Sequence, residues 1–127
     1  MIGFPKPKSR KSERRKVKTH ERLWIAGIRE QIIQRDGNRC RACAVSPATA
    51  STPVFLHMHE IIYRSKTRGR PIEERINLNI CLLLCSRCHM DIHNQKLTLE
   101  VIDSKLGANG RIKFQEKHTG KFHTLYP

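Results

Sequence analysis

Two Cys-x-x-Cys pairs, Cys40/Cys43 and Cys85/Cys88, stand in a chain of only 127 residues. A two-residue gap lets both sulfurs of a knuckle reach one ion, and four thiolates complete the tetrahedral set that zinc takes in structural sites. One such pair is a weak signal, but two are a strong one. The alternative is four reduced cysteines packed in a core. Disulfides fit less well, because nothing at the N-terminus resembles a secretory signal and the expected setting is a reducing one, the cytoplasm. With 6% aromatic residues the chain has a modest core to bury. Zinc ligation is therefore expected to carry a large share of the folding free energy, as in other small zinc domains.

The formal net charge is +14. That balance points to a polyanionic partner, with DNA first and an anionic membrane surface second. No apolar run approaches membrane-spanning length, and no basic amphipathic anchor stands out, so no membrane partner is expected. About half of the charge lies in residues 1–22, where Pro5, Pro7 and a dense basic run that includes Lys11, Arg14, Arg15 and Lys16 leave few apolar side chains. Such a segment cannot offset its ordering entropy and is expected to be a disordered basic arm. Residues 23–127 then form one domain.

From Leu23 to Asp36, Ile25, Ile28 and Ile32 recur at helical spacing with Trp24 against Ile28, and Gly37 is placed to end the helix. The first knuckle follows, then a loop from Ala44 to Pro53. Val54 to Ile62 reads as a strand, whose period of two sets Phe55, His57 and His59 on one face and Leu56, Met58 and Glu60 on the other. Arg64 to Arg75 is basic and broken by Gly69 and Pro71, which predicts a surface loop. Ile80 to Leu84 is a short apolar strand with Cys81 as a core residue. Cys85 to about Gln95 reads as the second knuckle entering a short helix. Leu97–Ile102 and Arg111–Phe114, around Gly107, Asn109 and Gly110, predict a C-terminal hairpin within 97–115.

The order knuckle, strand, loop, strand, knuckle, helix resembles the HNH endonucleases of the zinc-bound ββα-metal type, a family of phages, mobile introns and restriction systems. The likeness covers about 35–96. It rests on His59-Glu60-Ile61-Ile62-Tyr63-Arg64-Ser65 for the first strand and turn, Asn79 for the central asparagine, and Cys85-Ser86-Arg87-Cys88-His89 with His93 for the closing motif. The run His89-Met90-Asp91-Ile92-His93 is also similar to the metal-binding helix of colicin DNases. The resemblance implies an α+β, treble-clef-like domain that hydrolyses DNA phosphodiester bonds, in a bacterial or phage-infected cytoplasm, alongside phage packaging or mobile-element proteins.

It also implies two metal centres. The four cysteines would hold structural zinc. His59 and His89, with His93 one helical turn on, would hold a catalytic divalent ion, Mg²⁺, Mn²⁺ or another, with positions open for water and phosphate. The family's usual general base, the residue after the first metal ligand, is a histidine, and here that position is Glu60. Three outcomes stay open: Glu60 is the base, His59 is the base with His57 as ligand, or the site is inactive. Asn79 would fix the base as an orienting partner, with Asn77 as fallback. Arg64, Lys66, Arg68 and Arg70 would position the phosphate backbone without reading sequence. His20, His118 and His123 fall outside the motif and read as surface residues. A catalytically silent zinc module that binds nucleic acid is the rival reading, and oligomeric state is not legible.

Overall fold

A computed structural model of the chain describes residues 3, 6, 9–62 and 64–125, without the side chains of Arg64 and of 122–125. Pro5, Pro7 and Tyr63 lie outside the described residues. The fold is mixed α and β. Helix α1 (Arg10–Asp36) leads into the first knuckle, followed by strand β1 (Leu56–Glu60), two single-turn helices α2 (Arg64–Thr67) and α3 (Ile72–Arg75), strand β2 (Cys81–Cys85) and helix α4 (Ser86–His93). Strands β3 (Leu97–Val101), β4 (Ile112–Glu116) and β5 (Phe122–Leu125) complete it.

The expectation of a disordered arm across 1–22 is corrected over its residues 10–22 by α1, which begins at Arg10 and runs without a break into the predicted core helix. Ser9 caps it by accepting from the Ser12 N–H at 3.1 Å, and Glu13 lies in the first turn, where an acid opposes the helix dipole. The composition reading counted missing apolar residues. It gave too little weight to Arg, Lys and Glu as strong helix formers, and to the absence of Gly and Pro between Ser9 and Ala26. The helix is also tethered mid-length. His20 Nε2 lies 2.7 Å from Glu73, Arg75 donates to Glu21 at 2.9 Å, and Trp24 Nε1 donates to the Ile76 carbonyl at 2.7 Å. Gly37, in the left-handed region at φ 72°, ends α1 as predicted.

The predicted surface loop 64–75 instead contains α2 and α3. Ile72 and Ile76 are buried in the core, which ties this basic stretch down from α3 onward. The C-terminal hairpin forms with Leu97 opposite Glu116 and Val101 opposite Ile112, and β5 extends it to three strands beyond its predicted limit.

β1 and β2 pair antiparallel, with Leu56 opposite Cys85 and Glu60 opposite Cys81. Every residue of β2 is buried, because α1 and α4 both pack against it; an unalternated apolar run is what a strand covered on both faces requires. The far edge of β2 is closed as well. The Leu83 N–H donates to the Asp36 carboxylate at 3.0 Å, and the Leu83 carbonyl accepts from the Arg41 N–H at 2.9 Å. Asp36 is buried and also accepts from Arg35 at 2.8 Å and Arg41 at 3.0 Å, while Arg41 donates onward to the Ala108 and Gly110 carbonyls. One carboxylate thus joins the end of α1, the knuckle and β2, and Arg41 extends the link to the β3–β4 connection. Removing one partner of such a buried group leaves an unpaired charge.

Candidate metal centres

The first knuckle is a tight turn. Cys40 donates to the Val45 carbonyl and its own carbonyl accepts from Ala44, which sits at φ 66°. The second knuckle spans the end of β2 and the first turn of α4, with Cys85 as the residue capping that helix. The Arg41–Leu83 bond holds the two together, and Cys40, Cys43, Cys85 and Cys88 offer sulfurs that all lie within 4.8 Å of one another.

The spacing suits an ion better than a bridge. Cys43 Sγ and Cys85 Sγ are 3.7 Å apart. A disulfide needs about 2.05 Å. Four sulfurs held about 2.3 Å from a central zinc sit about 3.8 Å apart along each tetrahedral edge. The acid–base behaviour agrees. A hydrogen bond from Cys88 holds the Cys40 thiol down to about 5, while Cys88 is itself pushed up by making that bond, and burial pushes Cys43 up to about 11. Without a cation, a thiolate at Cys40 opposes ionisation of Cys88 and Cys43. A divalent ion removes that conflict, and Arg87, stabilised in its charged form by the sulfurs, offsets part of the remaining negative charge. Cys81 is fully buried and stays outside the cluster, its thiol raised to about 11 mainly by burial.

The second group starts one residue after Cys88. His59 on β1 and His89 and His93 on α4 offer ring nitrogens within 4.8 Å of one another. The rings meet edge to face, His59 with His89 at 5.2 Å between centroids, His59 with His93 at 5.8 Å and His89 with His93 at 4.5 Å. His89 Nε2 and His93 Nε2 are 3.1 Å apart. Two nitrogens bound about 2.1 Å from one ion stand roughly 3.0 to 3.4 Å apart at octahedral or tetrahedral angles. Helical spacing explains the pair, since residues four apart stack on one face of α4.

Burial, then the neighbouring His89 and His93, lowers the His59 pKa to about 4. Burial likewise lowers that of His89. Both favour the neutral imidazole that a metal ligand must be. In zinc-loaded protein without a second ion, ring NMR of His59 is expected to show a midpoint near 4. A midpoint near its ordinary 6.5 would mean that the three rings do not pack as described. The folded chain excludes a proton that the unfolded chain takes up, so this group's contribution is whole above about 6.5 and declines as pH falls toward 4.

The remaining predicted residues are placed as follows. His57 is exposed, stacks on His89 at 5.5 Å and shares a 2.8 Å hydrogen bond with Ser86, so it stands beside the trio and not in it. Glu60 follows His59 on a strand, where neighbours point to opposite faces, and its charge helps raise the Cys81 thiol opposite it. Asn79 accepts from Asn109 at 2.5 Å, and its carbonyl accepts from Ala108. Its side chain therefore meets the turn Gly107–Asn109, where a Cβ on Gly107, at φ 56°, would collide with the Asn79 carbonyl. Asn77 turns its amide to the carbonyls of Glu73 and Glu74. Lys66 in α2 and Arg68 and Arg70 just after it are exposed, as are Lys11, Arg14, Arg15 and Lys16 on α1. The side chains of Arg64 and His123 lie outside the described residues, and His118 is exposed.

Two features were not legible from motif spacing. The Asp36–Arg41 link joins residues with no periodic signal, and the His57–His89 stack depends on strand register. The Nδ1 atom of His89 is buried with no hydrogen-bond partner. Comparison with protein families, curated proteins and solved structures found no match for this chain. Among the described residues, no helix is long and apolar enough to cross a membrane.

Proposed function

We propose that this chain is a divalent-metal-dependent nuclease of the HNH type that hydrolyses DNA phosphodiester bonds, built on a structural zinc centre. The observation that carries the reading is the convergence of His59, His89 and His93 on one point, separate from the four cysteines, in a strongly basic chain. A domain that only needs a zinc clamp has no use for a second ligand set. The strand pair β1–β2 followed by α4, which packs on both strands, supports the ββα-metal likeness. An ion bound by the trio would neutralise charge on the pentavalent phosphorus and on the leaving oxygen. Three imidazole ligands would leave the ion's remaining positions to water and phosphate. Imidazole ligands favour Mn²⁺, Ni²⁺ or Zn²⁺ over Mg²⁺, which prefers oxygen.

Zinc-loaded protein is expected to nick or linearise supercoiled plasmid when one of these ions is supplied in turn, and no cleavage with any of them would overturn the reading. A silent nucleic-acid-binding module is the second reading. It draws on the unpartnered Nδ1 of His89, since metal-bound histidines normally donate that proton to an oxygen, and on Asn79 being turned to Asn109. Duplex binding without cleavage would establish it.

A further inference from the structure

Most of the basic charge on the first half of α1 lies on one side of the helix, with Lys16 across from it and Arg10 just beyond its edge. At about 100° per residue, Lys11, Arg14, Arg15, Lys18 and Arg22 fall within an arc of roughly 100°. All five are exposed. The same line continues to Arg29, whose guanidinium donates to the Leu56 carbonyl at 3.0 Å. Leu56 precedes His57 and lies three residues before His59 on β1. The contacts that dock α1 on α3 and on the carbonyl beyond it run through Trp24 and His20, about 130° and 170° from the centre of the stripe, and through Glu21, about 70° from it beside Arg14, so they leave Lys11, Arg15, Lys18 and Arg22 uncovered.

We infer that α1 is a rigid rail that tracks the phosphate backbone of a DNA duplex and delivers it to the histidine trio at its foot. From Lys11 to Arg29 the stripe runs about 27 Å, the length of roughly eight base-pair steps. A flexible polycation would need no such phase, and would gain nothing from a helix continuous with the core. An anionic bilayer fits less well. A helix that lies on a membrane needs apolar side chains beside its basic ones. On this half of α1 the exposed apolar residues, Val17 and Leu23, fall outside the stripe on different sides. The inference rests on the nuclease reading for its destination, though not for the binding itself.

The test changes phase and keeps charge. Two alanines inserted between Lys18 and Thr19 turn the outer four basic residues about 200° away from the core-proximal part of the stripe, while four alanines bring them back to within about 40°. Binding of the zinc-loaded full chain to a short labelled duplex is measured against salt, with no catalytic ion added and with helix content followed by circular dichroism. The two-alanine variant is expected to lose about 3 to 4 from the slope of log K against log salt, and the four-alanine variant to keep most of it. Equal slopes in all three proteins would show that phase is irrelevant and overturn the rail, even if plasmid is cleaved. Phase-dependent binding in a protein that never cleaves would keep the rail and sink the nuclease. Should the insertions unfold the chain, Arg14→Gln with Lys18→Gln is expected to lower the slope by about 2, and an unchanged slope would equally overturn the proposal. Tighter, phase-dependent binding to anionic vesicles than to duplex would reassign the stripe to a membrane.

Discussion

Serine in place of Cys40, Cys43, Cys85 or Cys88 is expected to leave a chain that retains no zinc and does not fold. The four sulfurs join three elements at one point: the first knuckle, the end of β2 and the start of α4. Structural zinc in small domains is worth roughly 10 to 16 kcal/mol, at or above the stability of a whole domain. A serine hydroxyl is a poor zinc ligand, and three remaining thiols do not complete the tetrahedral set. The contrast is Cys81→Ala, which removes a buried sulfur outside the cluster. That variant is expected to keep its zinc and lose about 1 kcal/mol, as ordinary core changes do. Metal analysis and thermal melts of the five variants check this. A Cys85→Ser protein that melts with the parent would end the clamp assignment.

What the sequence disclosed about the fold was decided by whether the signal was local. Cysteine pairs, the Ile28 and Ile32 spacing and the Gly37 stop are read within a few residues of one another, and each matches the structure. The apolar run Cys81–Cys85 is equally local, although its burial on both faces depends on two helices far from it in sequence. The arm failed because its helix propensity was outweighed by its composition, and because its tether to the α3 region joins residues some fifty positions apart. The bond of Asn79 to Asn109 was out of reach for a similar reason: that partner lies 30 positions downstream. No motif spacing reports such a bond. The grouping of the three histidines was legible because β1 and α4 each place their side chains by simple periodicity. The face of Glu60 was legible too, since alternation already separates it from His59.

His59→Ala and His89→Ala are expected to abolish plasmid cleavage, while zinc content and duplex binding stay close to those of the parent chain. Both rings lie in the trio and neither belongs to the cysteine cluster, so their loss should empty one centre and leave the other. Truncating His59, which is 9% exposed, opens a small cavity, and the loss of stability should be that of an ordinary buried side chain. Loss of zinc in either variant would mean that the two centres are not separable. Glu60→Gln then locates the base. The amide keeps the carboxylate's shape and cannot accept a proton, so cleavage should fall by about 10² to 10⁴ if Glu60 takes the proton from water. Its position on the strand face opposite His59, across from Cys81, favours the other outcome for this variant. Full activity in Glu60→Gln would transfer the base role to a histidine. His57, stacked on His89 and bonded to Ser86, is the one beside the trio, and His57→Ala should then lose activity without losing the catalytic ion.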